Sequence, residues 1–374
     1  MSNNNLVPAI LSVYSKNIVN GIYYIGQYGT SGYASAAKGY LYHYFSNGIP
    51  ITWEPLYFDT SKLNDDNIYD IVVNSLINKP ISKYGMVIMH TTPDLWQKFW
   101  QQKPKMFQNK IINGYCTWET SKLPKNWVDY MMKEYIHEIW CPSTYNERIF
   151  KESGVTKQIR VVPHIFLPQT LPSQDTVKII STVNGDRIDK DNRFTFYSIG
   201  EMNIRKGIND IIKSFCQAFT NNDPVRLILK VHYRGYTEEN IKKCEDMIST
   251  ELKKYSSYAP IICLFSNMSN KEMLALHSIG DCYISLTKSE GFGLTIFDAI
   301  NYNKKVIVTG YGGHLDFLGK SYPGLVNYKI GYVTGMSSFS PNYTEEQSWA
   351  YPDLDHAIEL MREIVNKQCQ LHRG

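Results

Sequence analysis

The chain has 374 residues, 43% of them apolar and 20% charged, with a formal net charge of +4. That length exceeds what one core usually spans, so two domains are expected. The scattered Lys and Arg residues exclude a nucleic-acid surface, and no apolar run approaches the roughly 18 residues of a spanning helix.

The polar start, Met1–Asn5, lacks the charged and apolar regions of a signal peptide. The seven cysteines are odd in number and form no C-x-x-C pair. They read as thiols of a reducing compartment, with neither disulfides nor a zinc site. A soluble cytoplasmic protein is expected, whose mild basicity permits peripheral contact with an anionic membrane surface. Nothing in the sequence sets an oligomeric state.

Met1–Pro8 reads as a loose tail and Gly21–Ile25 as a first strand. Gly26-Gln27-Tyr28-Gly29-Thr30-Ser31-Gly32-Tyr33 then leads into a helix from Ala34 to Phe45. A glycine turn at a strand's carboxyl end is where open α/β sheets bind ligands. The spacing G-x-x-G-x-x-G is not the dinucleotide fingerprint G-x-G-x-x-G, and no acid ends a second strand, which argues against a nicotinamide dehydrogenase. Ile49–Phe58 and Met86–His90 continue as strands. His90 ends a buried run at the same sheet edge as the glycine turn; it is either a structural histidine or a site residue. The strand from Ile111 runs to Trp118-Glu119-Thr120-Ser121-Lys122-Leu123-Pro124. Glu119 is either a cap or ion-pair carboxylate or a group that holds a hydroxyl. Glu138–Thr144 is a strand with a helix cap, and Ile159–His164 is the last strand of the first domain. Residues 1–168 are thus assigned to a first domain, the Pro-, Gln-, Ser-, Asp- and Asn-rich 169–192 to a linker, 193–348 to a second domain and 349–374 to a C-terminal segment.

The second domain opens with the strand Phe194–Gly200, the loop Glu201–Gly207 and an amphipathic helix, Ile208–Phe219. Arg205 and Lys206 stand at that helix start, where the dipole disfavours cations. They are either a solvated pair or the partners of a diphosphate. Lys230 ends the apolar run Arg226–Val231 and should emerge at a ligand or at solvent. Thr237–Lys254 and Ser269–Ile279 read as helices, Ile261–Phe265 as a strand.

The stretch Lys288–Ala299 follows a buried strand, Asp281–Leu286, and enters a helix. Free amides and the positive dipole end at such a turn favour a phosphate. Gly291 and Gly293 let the backbone approach it. Glu290 and Asp298 would repel a phosphate and so should serve hydroxyls. A nucleotide sugar carries both kinds of group. The alternative is a glycine-rich turn of an ordinary α/β protein. Lys305–Thr309 leads to a third glycine-rich strand end, Gly310–His314. Asp353-Leu354-Asp355 has the spacing of a metal-binding D-x-D, but it starts a helix after Pro352, where Asp is a cap. No metal or cofactor is expected.

Together these segments resemble the family-4 retaining glycosyltransferases of GT-B fold. The resemblance rests on E-G-F-G-L-x-x-x-D-A at Glu290–Ala299, R-K-G at Arg205–Gly207 and W-E-T-S-x-L-P at Trp118–Pro124. Asp298 replaces the second Glu of the E-x7-E signature, and Glu201 stands where the family often has Arg. The resemblance implies an α/β protein of two Rossmann-like domains facing across a cleft, with the C-terminal helix crossing back to the first. It implies transfer of a sugar, with retention and without a metal, from a nucleoside-diphosphate sugar to a hydroxyl acceptor such as a glycan or lipid-linked saccharide. Lys206, with Arg205, and the backbone of Gly291, Phe292, Gly293 and Leu294 would hold the leaving diphosphate. Glu290 would position the sugar, Asp298 the ribose, and Lys230 would lie near the donor. Gly29, Ser31 and Gly32 would form a cleft loop, with His90 and Glu119 orienting the acceptor or supporting charge at the sugar. The two departures keep open a non-catalytic nucleotide-sugar or glycan-binding subunit of the same fold. An epimerase or phosphorylase would need no second acceptor.

Overall fold

A computed structural model describes residues 20–58, 67–174, 179–180 and 187–371; the expected tail Met1–Pro8 lies outside them. The chain divides into two compact units, Met1–Leu167 and Pro168–Gly374.

In the first unit the elements run β1 (Ile22–Gln27), α1 (Gly32–Ser46), β2 (Ile51–Leu56), α2 (Ile68–Asn74), β3 (Met86–His90), α3 (Pro93–Gln102), α4 (Pro104–Phe107), β4 (Ile111–Tyr115), α5 (Lys125–Met131), β5 (Glu138–Cys141), α6 (Thr144–Glu152) and β6 (Ile159–Val161). They form one six-stranded sheet in the order β2-β1-β3-β4-β5-β6, with every pair parallel. Parallel strands are covered on both faces and so read as continuous apolar runs; all five residues of β3 are buried. Helix starts follow local chemistry: Ser31 and Ser143 each cap a helix by accepting a backbone N–H.

The second unit contains β7 (Ile179–Ile180), β8 (Arg187–Ile188), β9 (Phe194–Glu201), α7 (Ile208–Ala218), β10 (Val225–His232), α8 (Glu238–Leu252), β11 (Ile261–Leu264), α9 (Asn270–Ile279), β12 (Cys282–Ser285), α10 (Leu294–Asn301), β13 (Lys305–Thr309), α11 (Leu315–Leu318), β14 (Leu325–Val326), β15 (Tyr328–Tyr332), β16 (Ser348–Pro352) and α12 (Leu354–Leu371). Its main sheet is parallel with the order β11-β10-β9-β12-β13-β14. Successive side chains of a strand point to opposite faces, and two cores result. Phe196, Leu227, Leu229 and Ile284 pack with Phe215 of α7, Ile248 of α8 and Met361 of α12. Tyr197, Ile228 and Tyr283 pack with Leu276 of α9 and Ile296 of α10.

Two boundaries differ from the sequence reading. The stretch assigned to a linker, 169–192, is built into the second unit wherever it is described. Strands β7 and β8 pair antiparallel, and Ile179 and Ile188 join the core beside α9. Gln174 donates to the carbonyl of Ser278 at 2.7 Å, and the buried Arg226 donates to the carbonyl of Asp189 at 2.7 Å. The segment 349–374 was expected against the first domain. Its described packing is with the second unit, because α12 has an apolar face, Ala357, Ile358, Met361 and Val365, that completes the core over α7. Arg362 adds a 2.8 Å bond to the carbonyl of Gln217. Asp353 accepts from the N–H of His356 at 3.2 Å, the capping role its position suggests. Among the described residues no helix is long and apolar enough to cross a membrane.

The first sheet tolerates little added volume under Trp96. A Cβ at Gly114 of β4 would lie 2.3 Å from that buried indole. Gly114→Ala is therefore expected to destabilise the protein by about 1–3 kcal/mol, read as a lower urea midpoint with an unchanged slope.

Candidate active site

Strand order places the site. In the second sheet the chain moves outward from β9 through β10 to β11, then returns to the other side of β9 with β12. Ligands of open α/β sheets bind at the carboxyl ends flanking such a reversal. The segments leaving β9 and β12 are the two quoted for the resemblance: Glu201–Gly207 before α7, and Leu286–Gly293 before α10. They are joined by backbone: the N–H of Lys288 donates to the carbonyl of Arg205 at 2.7 Å. The Thr287 hydroxyl lies 3.2 Å from the same carbonyl. Gly207 makes this approach feasible. Its φ is +66°, and a Cβ there would stand 2.1 Å from the carbonyl oxygen of Leu286. From the next strand end, the N–H of Gly313 donates to the carbonyl of Glu290 at 2.8 Å.

Within this frame Glu290 is 8% exposed and faces two cations. Lys206 Nζ lies 2.6 Å from Oε1, and an Arg205 guanidinium nitrogen lies 3.3 Å from Oε2. The Thr287 hydroxyl adds a 3.1 Å bond to Oε1. Burial pushes the carboxyl up, but Lys206 and Arg205 outweigh it and hold Glu290 at about 2. Arg205 also donates to the carbonyl of Ser289 at 2.8 Å. His314 is fully buried with Nε2 2.8 Å from the carbonyl of Thr309, which puts its proton on Nε2. Burial draws its pKa down.

Along the same sheet edge, Lys230 is nearly buried and donates to the hydroxyl of Tyr236. Burial lowers its pKa to about 8. Burial, Lys230 and Lys206 together lower His232 to about 4. Glu201 is half-buried, raised by burial, and accepts from Asn203 at 3.1 Å. Helix α10 begins at Gly293, whose φ is +88°, and no side chain caps it. Gly291 is buried and Leu294 partly exposed. Phe292 packs its ring on Phe297 and Phe317 at 5.1 and 5.2 Å. Asp298, one turn further, is partly buried, and no partner for its carboxylate is present among the described residues. Burial raises it to about 7. The second unit thus gathers Arg205, Lys206, Lys230, Glu290, Asp298 and the Gly291–Leu294 turn. Sequence reasoning missed Thr287, His314, Tyr236 and the partner of Lys288, Asp210. An acid in the first turn of α7 was a visible signal for Asp210 alone.

The first unit treats its expected residues differently. His90 has no exposed surface and is ringed by Tyr115, Tyr33 and Tyr40 at 4.2, 5.4 and 5.8 Å. Its Nδ1 lies 2.5 Å from the Tyr24 hydroxyl. Burial and His164 keep its pKa well below the usual range. Its ring is therefore held neutral within the first unit's core. Glu119 is partly exposed, four residues beyond β4, and its carbonyl accepts from Tyr145 at 2.7 Å. Gly29, Ser31 and Gly32 are exposed. The Ser31 hydroxyl is committed to its helix: it accepts from Ala34 N at 3.1 Å and donates to Gln27 at 2.7 Å.

Asp298 makes a pH signature. Its folded pKa, about 7, lies above the ordinary 3.8, so its contribution to stability is complete below the unfolded value and lost as pH rises through 7. Asp298→Asn is expected to gain stability relative to wild type progressively between about pH 4 and 7, with no further gain above. Urea midpoints of the two proteins across that range test this; a constant offset would refute it.

Residues 185–328 match the family model described as glycosyl transferases group 1. No curated protein matches the chain. Among solved structures it is similar to sucrose-phosphate synthase from Thermosynechococcus elongatus, at 12% identity over 95% of this chain and 98% of that one, with a TM-score of 0.53. It is similar to an E. coli trehalose-6-phosphate structure bound with UDP-2-fluoro glucose, at 10% identity over 92% and 95%, also with a TM-score of 0.53. It covers 77% of its own length but only 50% of the chain of a pneumococcal O-GlcNAc transferase, GtfA, in complex with UDP and GlcNAc (13% identity, TM-score 0.46). The two Rossmann-like units have the α/β architecture of GT-B structures, and residues 185–328 are similar to group 1 glycosyltransferases.

Proposed function

We propose that this protein transfers a sugar from a nucleoside-diphosphate sugar to a hydroxyl acceptor, with retention at the anomeric carbon and without a metal, as a member of the family-4 enzymes whose motifs it resembles. The observation that carries the reading is the Lys206–Glu290 pair, 2.6 Å apart, beside the uncapped turn into α10. In the donor complex the diphosphate takes the amides of that turn and the ammonium of Lys206, with Arg205 adding charge. Glu290, ionised throughout the physiological range, accepts from hydroxyls of the sugar. Asp298, without a partner among the described residues, accepts from the ribose in its deprotonated form. Lys230 extends the positive edge toward the donor.

Catalysis rests on positioning and on charge placed where the leaving diphosphate develops it. Glu119 and the exposed Gly29–Gly32 turn supply the acceptor side, and His90 acts only through its neighbours. The UDP-2-fluoro glucose held by the similar E. coli protein makes UDP-glucose the first donor to try. A glycan or lipid-linked saccharide acceptor and a cytoplasmic setting fit this reading. A second reading, a non-catalytic nucleotide-sugar- or glycan-binding subunit, is favoured by one observation: Asp298 stands where the resembled signature has Glu, and Glu201 where the family often has Arg.

Release of nucleoside diphosphate from UDP-, GDP-, dTDP- and ADP-sugars, with and without EDTA, decides between them. Release should survive EDTA and fall by about 10²–10³ in Glu290→Ala and in Lys206→Ala. Binding without release from any donor would establish the subunit reading. Release abolished by EDTA would overturn metal independence.

A further inference from the structure

Lys288 is 5% exposed and lies two residues before Glu290, yet the donor reading gives it no role. Its three polar groups go to three different segments. Its N–H donates to the carbonyl of Arg205 at 2.7 Å, and its carbonyl accepts from the N–H of Ala350 in β16 at 2.9 Å. Its ammonium reaches Asp210 Oδ2 at 2.6 Å and lies 5.3 Å from the ring centroid of Tyr351. Asp210 is the acid in the first turn of α7, where the helix dipole favours it. Its other oxygen is 3.9 Å from Lys213.

Arg205 and Asp210 bracket Lys206 and Gly207 in the chain. One residue therefore grips the α7 entry on both sides of Lys206, while its own backbone continues into Glu290. A plain stabilising pair is a weaker account. An ion pair this buried does little better than an apolar replacement of similar volume. What the pair supplies that an apolar contact does not is a directional, fixed-length link.

We propose that Lys288 and Asp210 are positioning residues: their ion pair sets the separation of Lys206 and Glu290 and so pre-organises the diphosphate-and-sugar site. The inference rests on the donor reading for its consequence in activity, but not for its structural content. Lys206 has a long, flexible stem, and a buried carboxylate tolerates no slack in its counter-charge. Loosening the α7 entry leaves both groups present and misplaced.

Two measurements test it on the full chain with Lys288→Met, Asp210→Asn and the charge-swapped double variant Asp210→Lys/Lys288→Asp. The first is hydrogen exchange without ligand. Exchange should quicken at 203–208 and 287–293 in both single variants, while β10 and α9 stay as in wild type, and the swap should restore protection. Unchanged exchange at those two segments overturns the proposal, as does an increase spread evenly over the second unit, which marks a merely structural pair. The second is turnover of the donor found for wild type. In variants that retain the wild-type melting temperature, kcat/KM should fall by about tenfold to a hundredfold, with the double variant closer to wild type than either single one. Full turnover in both singles would also overturn it. If wild type binds and turns over no donor, the donor reading fails, and hydrogen exchange still decides the positioning claim.

Discussion

Glu290 must keep a full negative charge in a place that water scarcely reaches. Taking a carboxylate out of water costs several kcal/mol unless its charge is paired and its oxygens are hydrogen-bonded. Two cations and a hydroxyl, from Lys206, Arg205 and Thr287, hold it ionised. Much of the second unit's local architecture serves to bring these groups together: the αL turn at Gly207, the backbone bond from Lys288 to Arg205, and the contact from Gly313 to the Glu290 carbonyl. A site built this way is already charged, with two cations facing one carboxylate.

The same constraint explains why the site lies where it does. Lys206 and Glu290 are 84 positions apart. They meet because β12 returns to pair with β9 after the chain has moved out through β10 and β11. Only at that reversal do two neighbouring carboxyl ends send their helices to opposite faces and leave a gap between the connecting segments. The two cores confirm the division: α7 lies over one face and α10 over the other.

Some residues singled out in the sequence have structural partners in the fold, and the reason is physical in each case. His90 stands at a strand end, but the rings of Tyr24, Tyr33, Tyr40 and Tyr115 close over it. Ser31 sits in a glycine turn, but a helix start needs an acceptor there and takes its hydroxyl. The polar stretch 169–192 has the composition of a linker, yet Ile179 and Ile188 carry enough apolar surface to fold onto α9. Composition averages over such residues; packing does not.

By itself the sequence determined the alternation of buried strands and capped helices, since parallel strands must be apolar throughout and helix starts need local acceptors. It also marked Arg205, Lys206, Glu290, Gly291, Gly293 and Asp298, because cations ahead of a helix and acids at a glycine turn are costly unless a ligand uses them. Only the tertiary structure decided that Lys206 and Glu290 are partners, that Lys288 turns back to Asp210, and that Asp298 meets no partner among the described residues. It also decided that α12 completes the second core. Those facts depend on strand order and on which face a side chain meets. Neither is encoded in spacing along the chain: both follow from how a whole sheet buries its two surfaces.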